Sequence, residues 1–324
     1  MNAFITATGA YLPDTVISNE WLADKLGLTP EQIFKSSGIR ERRWVTRGQT
    51  TSSLAATALT NAQVATNEID YLLFGSMTPD RFIPGSAPAL QSSMGLGEIP
   101  CLDIRAACCN TLYGLQLARA LVTSGTAANV ALCLAEVQSI FLNLSSGAGT
   151  TSMLFGDGAA ALIVSSTGEV GALEIVDVHL ATDGKYVDDL GIRCPGSEFG
   201  VDGEKPDFEP RMAGQSVILQ ASRKMVSACQ VVLERNELTV DEVSWVVPHQ
   251  ANANLLAQVA RGVGLKDTSK VVSVIEHTGN TSSASMGLAL DHLMRSGDLR
   301  SEDYVLMPAF AAGFTWGAGL LRVV

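Results

Sequence analysis

At 324 residues the chain is longer than one small core organises and long enough for two packed halves. Apolar residues make up 47% and charged residues 17%, with 30 glycines, which excludes a disordered or fibrous chain. A formal net charge of -11 leaves no broad basic face for duplex nucleic acid, so any acidic partner must dock on a local patch.

Taken in chain order, the N-terminal MNAFITATGAYLPD has no basic lead-in to an apolar stretch and no small-residue cleavage signal, so no secretory peptide is expected. Phe4 to Thr8 reads as a strand and Ser18 to Leu26 as a helix. Thr29-Pro30-Glu31-Gln32 supplies an N-cap, a proline at the first helical position and a glutamine spaced for a capping box. Tyr71 to Phe74, Leu102 to Ile104, Val130 to Leu134 and Ala160 to Val164 are apolar enough for buried strands, with helical stretches between most of them, which is βαβ layering. No run of 18 uncharged apolar residues occurs, so no membrane span is expected. The six cysteines, Cys101, Cys108, Cys109, Cys133, Cys194 and Cys229, lack CxxC spacing. Reduced cytoplasmic thiols, most of them small buried hydrophobes, fit better than disulfides or a metal site.

The chain also echoes itself. Glu68 to Leu73 (EIDYLL) resembles Glu242 to Val247 (EVSWVV), and AACCNTLYGLQLARALVTSG, ending at Gly125, resembles TGNTSSASMGLALDHLMRSG, ending at Gly297. Aligning the two terminal glycines places Cys108 on Asn280, as if both began equivalent helices of two duplicated halves, 1–167 and 168–324.

Three residues carry candidate chemistry. Cys108 follows the strand Leu102 to Ile104 and precedes a helix from about Thr111 to Val122. Free backbone N–H groups and the positive helix end there favour a thiolate nucleophile, against the alternative of a structural core cysteine. His249, in Val246-Val247-Pro248-His249-Gln250-Ala251-Asn252, sits where a buried strand ends, the position at which α/β folds gather their sites. A capping or surface histidine is the plain alternative. His179, His277 and His292 have no comparable setting, although His277 is near enough to Asn280 in sequence to support it. Asn280 opens a run of small residues, Gly279 to Ser285, either as a helix N-cap or as an amide donor to an oxygen that gains negative charge. Ala309 to Gly317 is a small-residue turn between two strand-like runs, a plain hairpin or the close backbone approach of an oxyanion hole. Phe155-Gly156-Asp157-Gly158-Ala159 lacks both phosphate-loop spacings and reads as a structural turn.

Together, ATGAYLP, SSGIRERR, DIRAACCNTLYG, FGDGAA, VPHQAN, GNTSSAS and GFTWG resemble, in order and near-family spacing, the β-ketoacyl-acyl-carrier-protein synthase III branch of the thiolase superfamily. The resemblance implies an α/β thiolase fold, five layers αβαβα from two duplicated halves, as a homodimer. It implies that Cys108 takes an acyl group as a thioester and that His249 and Asn280 hold a malonyl-type thioester carbonyl during decarboxylation. The resulting enolate carbon attacks the acyl carbonyl, whose oxyanion meets the N–H groups of Cys108 and Ala312. Nothing beyond phosphopantetheine-borne substrates, on acyl-carrier protein or coenzyme A, is implied as cofactor.

Departures from the family pattern lie in the pantetheine tunnel. The tryptophan and arginine that sandwich adenine in housekeeping members are Gln32 and Ser36 here, another arginine is Gly149 or, with a shifted gap, Ala148, and a further one is Asn254. These changes remove stacking and cationic contacts to a nucleotide and point to specialised metabolism. Met212, Ala213, Gly214, Gln215, Ala251 and Asn252 remain compatible with a pantetheine arm. The acyl-pocket phenylalanine of acetyl-selective members is Ile83, which predicts acceptance of more than acetyl. Arg40, Arg42, Arg43 and Arg47 read chiefly as the structural GIRER segment, with Arg223, Lys224 and Arg261 as alternative docking charges for an acidic carrier. Competing readings are a same-fold acyltransferase with an oxygen, nitrogen or sulfur acceptor, a non-catalytic synthase subunit, and, last, a cysteine hydrolase.

Overall fold

The structure, a computed structural model, describes residues 2–146 and 151–324. The first half runs β1 (Phe4–Tyr11), β2 (Thr15–Ser18), α1 (Asn19–Leu26), α2 (Pro30–Ser37), β3 (Glu41–Trp44), α3 (Thr51–Asn61), β4 (Tyr71–Gly75), α4 (Ala87–Met94), β5 (Cys101–Ile104), α5 (Asn110–Thr123), β6 (Asn129–Glu136) and β7 (Gly158–Ser165). The second runs β8 (Leu173–Thr182), β9 (Leu190–Gly191), β10 (Arg211–Met212), α6 (Gly214–Arg235), β11 (Val243–Val246), α7 (Ala253–Val263), α8 (Ile275–Thr278), α9 (Ser285–Ser296), β12 (Tyr304–Ala311) and β13 (Thr315–Val323). Local chemistry sets the boundaries. Ser18 caps α1, and at α2 both halves of the Thr29–Gln32 capping box form, Gln32 N donating to Thr29 Oγ1 at 3.2 Å and Thr29 N to Gln32 Oε1 at 2.7 Å.

Two wings of one mixed sheet repeat the same topology. In the first the order is β1-β7-β6-β4-β5, and in the second β8-β13-β12-β11, with a lone parallel bridge from Val246 to Val271 where a fifth strand would lie. In each wing the innermost two pairings are antiparallel and the outer ones parallel. The wings are joined edge to edge at β1 and β8, where Phe4 pairs with Glu174 and Ile5 with Leu173, and Ile175 N donates to Ala3 O at 2.9 Å. α5 and α9 lie between them, burying Leu112, Leu115, Met286 and Leu290 in one core with residues of both wings. α3 and α4 cover the outer face of the first wing, and α6 and α7 that of the second. The result is the five-layer αβαβα thiolase fold. β6 and β7, covered on both faces, are continuous runs of buried apolar residues.

The repeat also corrects an equivalence. Counting back from Gly125 and Gly297 puts Cys108 on Asn280, but α5 has 14 residues and α9 has 12, so that register fails at the helix starts. Each helix is preceded by a 3-10 turn whose first residue has positive φ, Ala107 at 49° and Ser282 at 48°. The structural counterpart of Cys108 is therefore Ser283, and the two turns face each other across the pseudo-dyad.

Candidate active site

β5 ends at Ile104, and the chain turns through Arg105 and Ala106 into the 3-10 turn Ala107–Cys109 that leads into α5. A left-handed alanine costs about 1 kcal/mol or more, so its neighbours must hold it. Asn110 does this with both ends of its amide, Oδ1 accepting from Ala106 N at 2.6 Å and Nδ2 donating to Ser283 Oγ at 2.8 Å. Ser283 in turn lies 3.2 Å from Ala107 O and donates to the carboxylate of Glu136, at the buried end of β6. Glu136 also accepts from Thr78 Oγ1 at 2.7 Å and from Met77 N at 3.1 Å, so one fully buried carboxylate ties β6, the loop after β4 and the turn before α9 together.

Cys108 is half-buried, with Sγ 3.4 Å from Ser282 Oγ. Burial pushes its thiol up to about 11; the Ser282 hydroxyl opposes the rise and the Glu136 carboxylate adds to it. This corrects the expectation of a resting thiolate. A helix end contributes at most about 2 kcal/mol, or about one and a half pKa units, which only brings the thiol back towards its ordinary value. Cys109, its neighbour, points the other way, Sγ 3.5 Å from Thr315 O, fully buried.

The backbone after β11 continues to pair with β12, Val247 N donating to Leu306 O at 2.8 Å and His249 N to Pro308 O at 2.9 Å, which delivers His249 to the interior. The ring is 3% exposed, its Nδ1 is 2.7 Å from Ser285 Oγ, and burial lowers its pKa to about 4. His249 is thus a neutral imidazole at physiological pH.

Asn280 is fixed by its backbone, N donating to Leu154 O at 2.8 Å and O accepting from Gly156 N at 3.0 Å. Gly279 before it has φ 65°, and a Cβ there would stand 2.9 Å from both Arg42 Cβ and Leu154 O, so only glycine fits. The Asn280 side chain is not a helix N-cap, the cap positions of the 3-10 turn and of α9 being Thr281 and Ala284. Oδ1 accepts from Ser282 N at 2.8 Å, an Asx turn just ahead of the 3-10 turn, and this leaves Nδ2 as a donor. Neither Asn280 Nδ2 nor His249 Nε2 has a partner among the described residues, and neither is sealed off by packing. Phe155 to Ala159, expected as a structural turn, is one that serves the site. Buried Asp157 accepts from Val45 N at 2.8 Å and Ser139 Oγ at 2.6 Å, anchoring the loop that hydrogen-bonds Asn280.

The six residues from Asn280 to Ser285 therefore touch both other candidates, Ser282 at the Cys108 thiol and Ser285 at the His249 ring. Ala312 follows β12, in the turn to β13, and β12 packs on the turn that carries Cys108. Among the tunnel positions, Asn252 Nδ2 donates to Ser36 O at 2.8 Å and Asn254 Nδ2 to Ser36 O at 3.2 Å, closing α7 on the end of α2. Gln32 is spent on its capping box and Ser36 Oγ on Gln32 O at 2.7 Å. Met212 and half-buried Ala251 pack against the apolar cluster of α6 and α7, and Gly214 starts α6. Gly149 and Ala148 lie outside the described residues, as does the side chain of Gln215. Ile83 is not gathered into the site of its own chain. It is 79% exposed, beside Phe82 at 68%, on the loop that carries the chain outward between β4 and α4.

Arg42 is fully buried, its guanidinium donating to Asn19 Oδ1 at 2.8 Å and Met153 O at 2.7 Å, which is the structural role expected for that segment. His277 is exposed beside Glu41, away from any supporting contact with Asn280. Sequence reading missed Glu136, Ser282, Ser283 and Ser285. Glu136 had a signal, a lone charge ending an otherwise apolar strand, VALCLAE; the serines had one in the three-residue spacing of Ser282 and Ser285 on one side of a helix start.

Comparisons with known proteins agree with this geometry. Residues 102–184 match the family model described as 3-oxoacyl-[acyl-carrier-protein (ACP)] synthase III, and residues 233–323 that of its C-terminal part. The chain is 36% identical to the β-ketoacyl-[acyl-carrier-protein] synthase III of Chlamydia caviae, covering 99% of this chain and 97% of that one. It is 34% identical to the enzyme of the same name from Methylococcus capsulatus, over 98% of each. Among solved structures, 3-oxoacyl-[acyl-carrier-protein] synthase III from Aquifex aeolicus superposes with TM-score 0.90 at 31% identity, over 99% of both chains. The priming β-ketosynthase of the R1128 polyketide pathway superposes with TM-score 0.89 at 29% identity, over 100% of this chain and 96% of that one.

Proposed function

The chain belongs to the 3-oxoacyl-[acyl-carrier-protein] synthase III family, and from that premise we propose that it is a condensing enzyme that joins an acyl group to a malonyl-type thioester. One observation carries the reading: two polar atoms without a partner among the described residues, His249 Nε2 and Asn280 Nδ2, belong to the same small cluster as the Cys108 thiol, linked by the Asn280–Ser285 segment.

In this reading the Cys108 sulfur attacks an acyl thioester, the carrier thiol leaves with the thiol proton, and the acyl group stays on Cys108. A malonyl thioester then places its carbonyl oxygen between His249 and Asn280. Two neutral donors stabilise negative charge on that oxygen without protonating it, which is what loss of carbon dioxide to an enolate requires. The enolate carbon attacks the acyl carbonyl, whose oxyanion is held by the N–H groups of Cys108 and Ala312, and collapse returns the Cys108 sulfur as leaving group. Burial suits this sequence, because a low-dielectric pocket strengthens each donor and excludes water from the acyl thioester.

For the donor we propose an acyl-carrier protein over coenzyme A. Gln32 and Asn254 are committed to backbone hydrogen bonds and offer neither an aromatic face nor a guanidinium to a nucleotide. Met212, Gly214, Ala251 and Asn252 are proposed to line the pantetheine arm. The exposed pair Phe82 and Ile83 supports a homodimer in which a second copy covers them, and a pocket that takes primers longer than acetyl. The test is to supply labelled malonyl thioester with acyl donors of graded length on each carrier. Release of labelled carbon dioxide with a β-keto thioester product supports condensation; transfer of the acyl group to any other acceptor without that release would overturn it.

A further inference from the structure

His249 must present a proton, not a lone pair, to a substrate oxygen, and the isolated imidazole does not decide which of its nitrogens carries it. We propose that the Ser285 hydroxyl is the positioning group that fixes His249 as the Nε2–H tautomer, by donating its own hydrogen to Nδ1. The inference rests on the condensing reading and assigns Ser285 the task of making His249 a donor within it.

A serine hydroxyl has one hydrogen and two lone pairs. One lone pair of Ser285 Oγ is taken by Gln250 N–H at 3.3 Å. That N–H is not free to move, because the Gln250 side chain clamps its own loop, Nε2 donating to Pro248 O at 2.8 Å and Oε1 accepting from Val274 N at 3.0 Å. The hydroxyl hydrogen needs an acceptor, and among the described residues the one in reach is His249 Nδ1, at 2.7 Å. If Nδ1 carried the proton, Ser285 would accept twice and its hydrogen would point at nothing, in a residue only 1% exposed. A stranded buried donor of that kind biases the tautomer ratio roughly tenfold to a hundredfold.

The consequence divides the labour of the site. A ring whose Nε2 already bears a proton cannot take one from Cys108, so acylation does not depend on Ser285, whereas discharge by the malonyl thioester does. A purely structural serine would not separate the two steps.

The experiment uses the full chain labelled with 15N-histidine, the His249 signals being identified by their loss in His249→Gln. Two-bond nitrogen–proton correlations at pH 7.5 should show a protonated Nε2 and a bare Nδ1 in the wild type. Ser285→Ala should shift that pattern towards a mixture, slow discharge of acyl-Cys108 by about tenfold to a hundredfold and leave the acylation rate within about twofold. Ser285→Thr, which keeps the hydroxyl, should restore tautomer and rate; should the alanine variant fail to fold, Ser285→Cys, a weaker donor of similar size, should fall between. A protonated Nδ1 in the wild type, or an alanine variant with unchanged tautomer and discharge, overturns the proposal. Wild-type protein that acylates but never condenses would instead sink the functional reading, and the tautomer spectrum, which needs no substrate, would still decide the role of Ser285.

Discussion

Lowering the pH from 7.5 to 5.5 should cost the wild-type protein about 1.4 kcal/mol of stability that a His249→Gln variant keeps. His249 titrates at 6.5 when exposed and at about 4 in the fold, because burial disfavours the imidazolium. Its folded pKa is depressed, so between those values the unfolded chain binds a proton that the folded chain refuses. The contribution is fully present above pH 6.5 and is lost as the pH falls towards 4, the whole gap amounting to about 3 kcal/mol. At pH 5.5, one unit below the unfolded value, about 1.4 kcal/mol is gone, and the acidic chain is still above its isoelectric point near 4.8. Glutamine removes the titration without a large change in volume, and the slopes of all other groups are common to both proteins. Urea unfolding of each at the two pH values reads the difference. Equal losses in both proteins would refute the buried neutral histidine.

Alkylation of Cys108 by iodoacetamide should rise about tenfold per pH unit from 7 to 9, since burial holds its thiol above its ordinary range even with the helix end opposing it; a plateau below pH 9 would contradict that. Glu136→Gln should speed alkylation at pH 8 several-fold by removing a nearby negative charge, and should lower stability by about 1–3 kcal/mol as one of the donors on the carboxylate loses its acceptor. Gly156→Ala puts a Cβ 2.2 Å from Thr278 O. It should destabilise by about 1–3 kcal/mol and, by disturbing Asn280, impair condensation more than acylation, which separate half-reaction assays would show. Asn280→Ala should still acylate but discharge about a hundredfold to a thousandfold more slowly in single-turnover mixing.

Much of this was legible in the sequence because local chemistry and tertiary context agree. The capping box at Thr29, the buried run of β6 and the hairpin between β12 and β13 are each dictated by residues a few positions apart. Cys108, His249 and Asn280 were visible because each stands where a strand or loop meets a helix. What the sequence concealed is long-range or conformational. The positive φ of Ala107 and Ser282, which sets the true pairing of the halves, leaves no mark in residue type, since neither is glycine. Glu136 reads as a strand end until Ser283, from the other half, reaches it. The thiolate expected at Cys108 fails because burial, a property of the whole fold, outweighs the helix end beside it. Ile83 was placed in a pocket that a single chain does not form around it.

The most direct test is intact-protein mass spectrometry in two steps. An acyl-carrier-protein or acyl-coenzyme A donor is offered first, and a malonyl thioester is added after the donor is removed. The wild type should gain an acyl mass that is absent from Cys108→Ser, and should lose it on the second addition as a β-keto thioester appears. An acyl mass that persists through the malonyl step, with both donors and every chain length, would contradict the condensing reading.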